Sequence, residues 1–136
     1  MTKSLKSSDL DVGQKRLLIP SQYVELNLIP MLSMTEKADA NLLHPKASRN
    51  MPSTSRVQGR KYEGLKVCVY LQSGFRCHLK LTRWDSTGST VINGTDYECL
   101  LGWTSLQEKD EVELWGFRKG EEGKLCFVLG KKTTVT

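Results

Sequence analysis

Two histidines and four cysteines hold most of the nucleophilic, general-base or metal-ligating chemistry this 136-residue sequence could offer, and their spacing suits none of it. His44 lies in a polar stretch and His78 on the polar side of an alternating run. Neither has a serine, cysteine or aspartate at a spacing that builds a nucleophile–base pair. Cys68, Cys77, Cys99 and Cys126 stand nine, 22 and 27 residues apart, with no Cys-x-x-Cys pair for zinc. Gly116, Gly120 and Gly123 form no phosphate-cradling loop and serve turns. The expectation is a protein that is not an enzyme, with no metal, no cofactor and no small-molecule substrate. What remains are groups that recognise by charge and hydrogen bonding: Lys6, the pair Lys15-Arg16, and the run Arg83-Trp84-Asp85-Ser86-Thr87-Gly88-Ser89-Thr90, where short hydroxyls surround a glycine.

The charge balance narrows the class of partner. The formal charge is +5, and the five basic residues in 40–62 (Lys46, Arg49, Arg56, Arg60, Lys61) have no acid among them, so the remainder is neutral. A basic segment can steer a polyanion, although a solvated loop would also carry such charge. No apolar run approaches the length of a transmembrane helix, and no membrane partner is expected. No secretory signal is read at the start, so all four cysteines are expected reduced in an intracellular protein. Asn93-Gly94-Thr95 reads as a turn rather than a glycosylation site.

The elements that must position these groups are short strands. The run 4–6 can start a strand, 7–14 is polar and loop-like, and Arg16-Leu17-Leu18-Ile19 is a compact apolar run stopped by Pro20. Pro20-Ser21 opens a short helix to about Asn27, with Tyr23, Val24 and Leu28 toward the core, and Pro30 ends it. From 33 to 63 apolar residues are sparse and Pro, Ser, Asn and basic residues dominate. That composition predicts a disordered loop inside one domain. Period-two alternation returns in Leu65-Val67-Val69-Leu71 and in Phe75-Cys77-Leu79-Leu81, joined at Ser73-Gly74 as a hairpin. Strands follow at 89–92, 111–117 and 125–129, with a helical turn at 103–106 and a hairpin loop at 119–123. Trp84 and Trp103 are expected in core or rim packing, and Trp115 is expected buried. Seven closely spaced strands and two short helices favour a barrel or sandwich over a parallel α/β sheet.

Four motifs occur in a telling order. Lys6 and Ser8-Asp9-Leu10 precede Arg16-Leu17-Leu18-Ile19-Pro20. Arg83-Trp84-Asp85-Ser86-Thr87-Gly88-Ser89 precedes Thr90-Val91-Ile92 and Gly102-Trp103. Leu106, Lys109-Asp110-Glu111 and Leu114-Trp115 precede Leu125-Cys126-Phe127-Val128. In this the chain resembles the B3 DNA-binding domain of plant transcription factors, most of all its small divergent stand-alone branch, over residues 4–32 and 63–131. The resemblance implies a mainly β, seven-stranded open pseudobarrel (B3-like) with two short helices. Joined to the long disordered internal loop that composition predicts at 33–63 and a short tail at 132–136, it gives one domain over 1–136. It also implies a nuclear protein that regulates transcription by binding double-stranded DNA with two arms in the major groove.

Those arms fall here at 7–16 and 84–90. Lys15 and Arg16 can neutralise phosphates, or Arg16 can take guanine O6 and N7. Arg16 can equally form an ion pair with Asp9 or Asp11. Ser86, Thr87, Ser89 and Thr90 can reach base edges or phosphates, or make an ordinary turn that Gly88 permits. Lys6 and Arg83 are candidate phosphate anchors, with Trp84 and Asp85 in the same arm. The chain also departs from the pattern. Asp85 stands where asparagine is common, and a carboxylate there repels phosphate unless it accepts from a cytosine amino group. Ser21 stands where lysine is common, the 93–99 connection is longer, and 46–61 is a basic insertion. The alternative is a protein-interaction module on the same fold, with little sequence-specific DNA affinity and other transcription factors as partners.

Overall fold

The computed structural model describes residues 1–11, 13–43, 64–84, 87–103 and 106–131. Seven strands form one sheet: β1 (Thr2–Ser4), β2 (Arg16–Ile19), β3 (Leu65–Leu71), β4 (Arg76–Arg83), β5 (Thr90–Asn93), β6 (Glu111–Lys119) and β7 (Lys124–Lys131). The spatial order is β1-β6-β7-β3-β4-β5-β2. All neighbours are antiparallel except β3 and β7, which run parallel with Cys68 opposite Cys126.

Alternation sets which side chains meet inside. Val67, Val69 and Leu71 of β3 face Leu79 and Leu81 of β4, Leu114 of β6 and Phe127 of β7, all buried in one cluster. The two edge strands, β1 and β2, are not joined by a backbone ladder. Instead the Lys3 ammonium crosses from β1 and donates to the Leu18 carbonyl of β2 at 2.6 Å. The sheet therefore curls until its edges meet, and a side chain closes the gap that backbone bonds leave open.

Helical pieces cover the mouths. After Pro20 the chain continues through α1 (Ser21–Tyr23), a π-helical turn (Val24–Leu28) and α2 (Ile29–Met31). The helix therefore passes Pro30 instead of ending before it. In the wide turn the Ile29 amide bonds the Val24 carbonyl, so the next residue can lack an N–H without orphaning a regular bond. Val24 and Leu28 are buried as expected. The expected loop at 33–63 is ordered in its first third. Ser33 and Glu36 form a reciprocal capping box that starts α3 (Met34–Asp39). Ala40 and Leu42 then enter the core at 0% and 3% exposure. The rest of that expected loop, from 44 to 63, lies outside the described residues, as does the tail at 132–136.

The helix near Trp103 begins earlier than the sequence suggests. It is α4 (Tyr97–Trp103), with Tyr97 and Leu100 buried three residues apart on one face. Trp115 is 60% exposed rather than buried. Strand alternation explains this, since Val112 and Leu114 are the inward residues of β6 and Trp115 points the other way. The next inward position is Gly116, where a Cβ would stand 3.1 Å from the Met31 methyl, so the absence of a side chain lets α2 lie close to β6.

Candidate nucleic-acid interface

Asp9 is the centre of the first arm. The stretch Ser7–Leu10 is a single 3-10 turn that folds the aspartate inward to complete burial. Its Oδ1 accepts from Lys3 Nζ at 2.9 Å, Arg16 Nη1 at 3.1 Å and the Leu18 amide at 3.2 Å. Its Oδ2 accepts from the Lys6 amide at 2.8 Å, and its carbonyl accepts from the Tyr97 hydroxyl at 2.5 Å. Burial pushes the Tyr97 phenol well above its usual range and, against the pull of Asp9, lowers the Lys3 ammonium. The carboxylate thus joins β1 to β2 across the open seam, and the same residue's carbonyl ties in α4.

Arg16, weighed as a phosphate or guanine contact, takes the other role open to it. It is 9% exposed and committed to Asp9, so its fork is turned into the seam rather than outward. The outward part of the first arm is therefore 11–15. There the Asp11 carboxylate accepts from the Gly13 amide at 2.8 Å, and the Asp11 carbonyl accepts from the Gln14 and Lys15 amides. Lys15 has φ +49°, a left-handed conformation uncommon for lysine. Its ammonium lies 3.4 Å from Glu98, with both side chains more than a third exposed, so the pair is weak and readily exchanged. Lys6 is exposed beside the turn.

The second arm leaves β4 at Arg83 and re-enters the sheet at Thr90. Its neck is closed by the Trp84 amide bonding the Ser89 carbonyl and the Gly88 amide bonding the Trp84 carbonyl, each at 2.8 Å. Gly88 has φ +70°, which explains the glycine there. Thr87 is exposed, and its hydroxyl accepts from the Ser89 amide at 3.2 Å while keeping its proton to donate. Arg83, Trp84 and Ser89 are half-buried at the base. Asp85 and Ser86 lie outside the described residues. Thr90 is only 5% exposed within the β2–β5–β4 ladder, so it is a strand residue and not an offered donor.

Two contributors escape the motif reading. The Ala40 carbonyl accepts from the Arg83 amide at 2.9 Å, and Asn41 Nδ2 donates to the Arg83 carbonyl at 2.8 Å. The segment after α3 therefore props the base of the second arm. The Ser33-x-x-Glu36 capping box was the signal for it. The other is Lys80, exposed on β4 directly opposite Lys66 of β3 and Asn93 of β5. Like charges facing across strands repel, and a phosphate would relieve that.

The register fixes the spacing of the arms. Arg16 pairs with Asn93 and Ile19 with Thr90, so the first arm sits at one end of the β2–β5 ladder and the second arm at the other. Three steps along an antiparallel strand separate them by about 10 Å. Among the described residues no group of three or more His, Cys, Asp or Glu could hold a metal ion.

An open, seven-stranded barrel with a parallel β3–β7 pair and two loops beside β2 defines a B3-type pseudobarrel. The solved Arabidopsis FUS3–DNA complex shares this fold, with a TM-score of 0.53, 14% identity, and coverage of 99% of this chain and 97% of that one. The family described as "B3 domain-containing protein At2g31720-like" matches residues 1–133, and the chain belongs to this B3 domain family. It is also 27% identical over 144 residues to the Arabidopsis thaliana B3 domain-containing protein At2g32645, covering 99% of this chain and 65% of that relative's length. Neither the family nor the fold is enzymatic.

Proposed function

We propose that this chain binds double-stranded DNA through the major groove and regulates transcription in the nucleus, with the loops 11–15 and 84–89 as the two arms. The observation that carries the reading is their spacing. Two loops about 10 Å apart on a rigid ladder suit a groove about 12 Å wide. Family membership supports it, as does the DNA-bound state of the FUS3 domain that shares the fold. Among the described residues, exposed Lys6 and Lys80 can meet phosphate, and so can Lys15, which has a weak exposed partner to leave. Thr87, Ser89 and, by sequence, Ser86 supply hydroxyls, and Asp85 is the residue type suited to a cytosine amino group. Arg83 and Trp84 set the arm's base rather than its tip.

The test is fluorescence anisotropy with a randomised duplex pool at two salt concentrations. The variant combines Lys15→Ala, Ser86→Ala and Thr87→Ala, leaving Arg16 alone because its loss would open the seam. Binding should weaken at least tenfold, about 1.4 kcal/mol, and log affinity should fall with log salt by about 0.9 per phosphate neutralised. Equal binding by the variant would remove the arms from the interface.

The burial of Arg16 and Thr90, and the carboxylates Asp11 and Glu98 beside the first arm, favour a second reading: a B3-fold interaction module for other transcription factors. It predicts weak duplex binding with no preferred site after selection from the pool.

A further inference from the structure

The outward face of β6, β7 and β3 carries an apolar strip. Trp115, 60% exposed, is directly opposite Val128, which is 37% exposed and in register with Tyr70 on the next strand. Phe117 lies 5.8 Å from the Tyr70 ring. Cations border the strip at the hairpin end. Lys119 donates to the Tyr70 hydroxyl at 2.6 Å and sits 4.9 Å over its ring, Lys124 is opposite Lys119, and Arg76 is opposite Tyr70. None of these three cations makes a salt bridge among the described residues. The Lys119 hydrogen bond, aided by Arg76, holds the Tyr70 phenol below its usual range, a sign of a positive local field. β7, at the centre of the strip, is three strands from β5 in the sheet, so both surfaces can be occupied at once.

We propose that this face docks a partner protein through a short acidic segment bearing a bulky apolar anchor, with Trp115 and Val128 taking the anchor and Lys119, Lys124 and Arg76 the carboxylates. An exposed tryptophan on the same face as cations that make no salt bridge among the described residues is the composition of an interface centre with a charged margin. Charge complementarity selects the occupant. The chain's own segment 44–63 is basic by sequence and would meet like charge. A second copy would offer Glu113, Glu121 and Glu122 to these cations, so a dimer is kept as an overturning outcome of the test. A single-stranded nucleic acid needs successive open rings. Here the Tyr70 ring is covered by Lys119 and tilted against Phe117, so that run of open rings is interrupted.

The test is selection of random 12-residue peptides displayed on phage against the whole protein, with the Trp115→Ala protein as the counter-target. The selected peptides are then titrated by anisotropy. All three substituted residues are exposed, so the variants should keep the wild-type melting temperature. Enriched peptides should combine aspartate or glutamate with a large apolar residue. They should bind at least tenfold more weakly to Trp115→Ala and to Lys119→Glu with Lys124→Glu, while duplex binding by the Trp115→Ala protein, which keeps the wild-type charge, is unchanged. The proposal is overturned by no enrichment, by basic or charge-free consensus peptides, or by equal binding to both variants. Oligo-dT binding tighter than the peptides and dependent on Trp115, or a dimer that Trp115→Ala dissolves, would overturn it equally.

Discussion

Replacing Asp9 should unfold the seam of the barrel. Asp9→Ala removes the single acceptor group shared by Lys3, Arg16 and two backbone amides, in a site with no exposure. It leaves two cations, 8% and 9% exposed, with no counter-charge. Breaking a buried pair by removing one partner costs about 3–5 kcal/mol. Each orphaned buried amide adds about 1–3 kcal/mol, and relaxation with entry of water makes the sum less than additive. A loss of about 4–5 kcal/mol is expected, against a total stability of about 5–15 kcal/mol for an ordinary domain. Urea unfolding followed by tryptophan fluorescence reads it. With a slope of about 2 kcal/mol per molar urea, the midpoint should fall by about 2 M. Asp11→Asn is the control. Asp11 is exposed and, among the described residues, its carboxylate holds only the Gly13 amide, so its loss should stay under about 1 kcal/mol. Lys3→Met, which leaves Arg16 and the amides on Asp9, should cost less than Asp9→Ala. An Asp9→Ala midpoint within 0.5 M of wild type, an order-of-magnitude threshold of about 1 kcal/mol, would refute the seam as the fold's electrostatic closure.

Three further outcomes follow from other contacts. Arg118 grips Glu36 through both carboxylate oxygens at 2.5 and 2.8 Å, and also bonds the Met31 carbonyl, tying α2 and α3 to β6. The Arg118 bond, against a smaller opposing effect of burial, holds the Glu36 carboxyl down at about 2. A depressed acid stabilises the fold above its unfolded value of 4.5, and that stability is lost as pH falls from 4.5 toward 2. Acid titration of wild type should therefore lose about 1–2 kcal/mol in this window, after discount for partial exposure, relative to Glu36→Gln. Gly88→Ala, at φ +70°, should cost about 1 kcal/mol by thermal unfolding, whereas Gly116→Ala meets the flexible end of Met31 at 3.1 Å and the Phe127 ring at 3.4 Å and should cost less, about 0.5 kcal/mol. Alkylation with iodoacetamide at pH 8 should mark exposed Cys99 at least tenfold faster than Cys77, whose thiol is buried and pushed up to about 11, with peptide mapping as the readout.

The strands were legible because their signal is local. Alternation in 65–71 and 76–82 records a pleat with one dry face, and the structure keeps that face inward. Alternation also contained the exposure of Trp115, which the expectation that tryptophans are buried overrode. The segment 33–43 was lost in the polar composition of 33–63, although its capping box is a local signal and Leu42 a plausible core residue.

By itself the sequence determined the strand set, the tight turns at Gly74 and Gly88, the absence of a spaced catalytic or metal constellation, and the resemblance that implied a B3 fold. Each is written in neighbouring residues or in an ordered series of short motifs. Only the tertiary structure decided between the two roles of Arg16, turned Thr90 into a strand residue, set the Ala40–Asn41 buttress under the second arm, and left Trp115 exposed on the face that also carries Lys119 and Lys124. Those outcomes depend on which distant residues share a burial site. Asp9 can draw Arg16 inward only once β1 and β2 curl to within reach of Lys3, and no local pattern carries that distance.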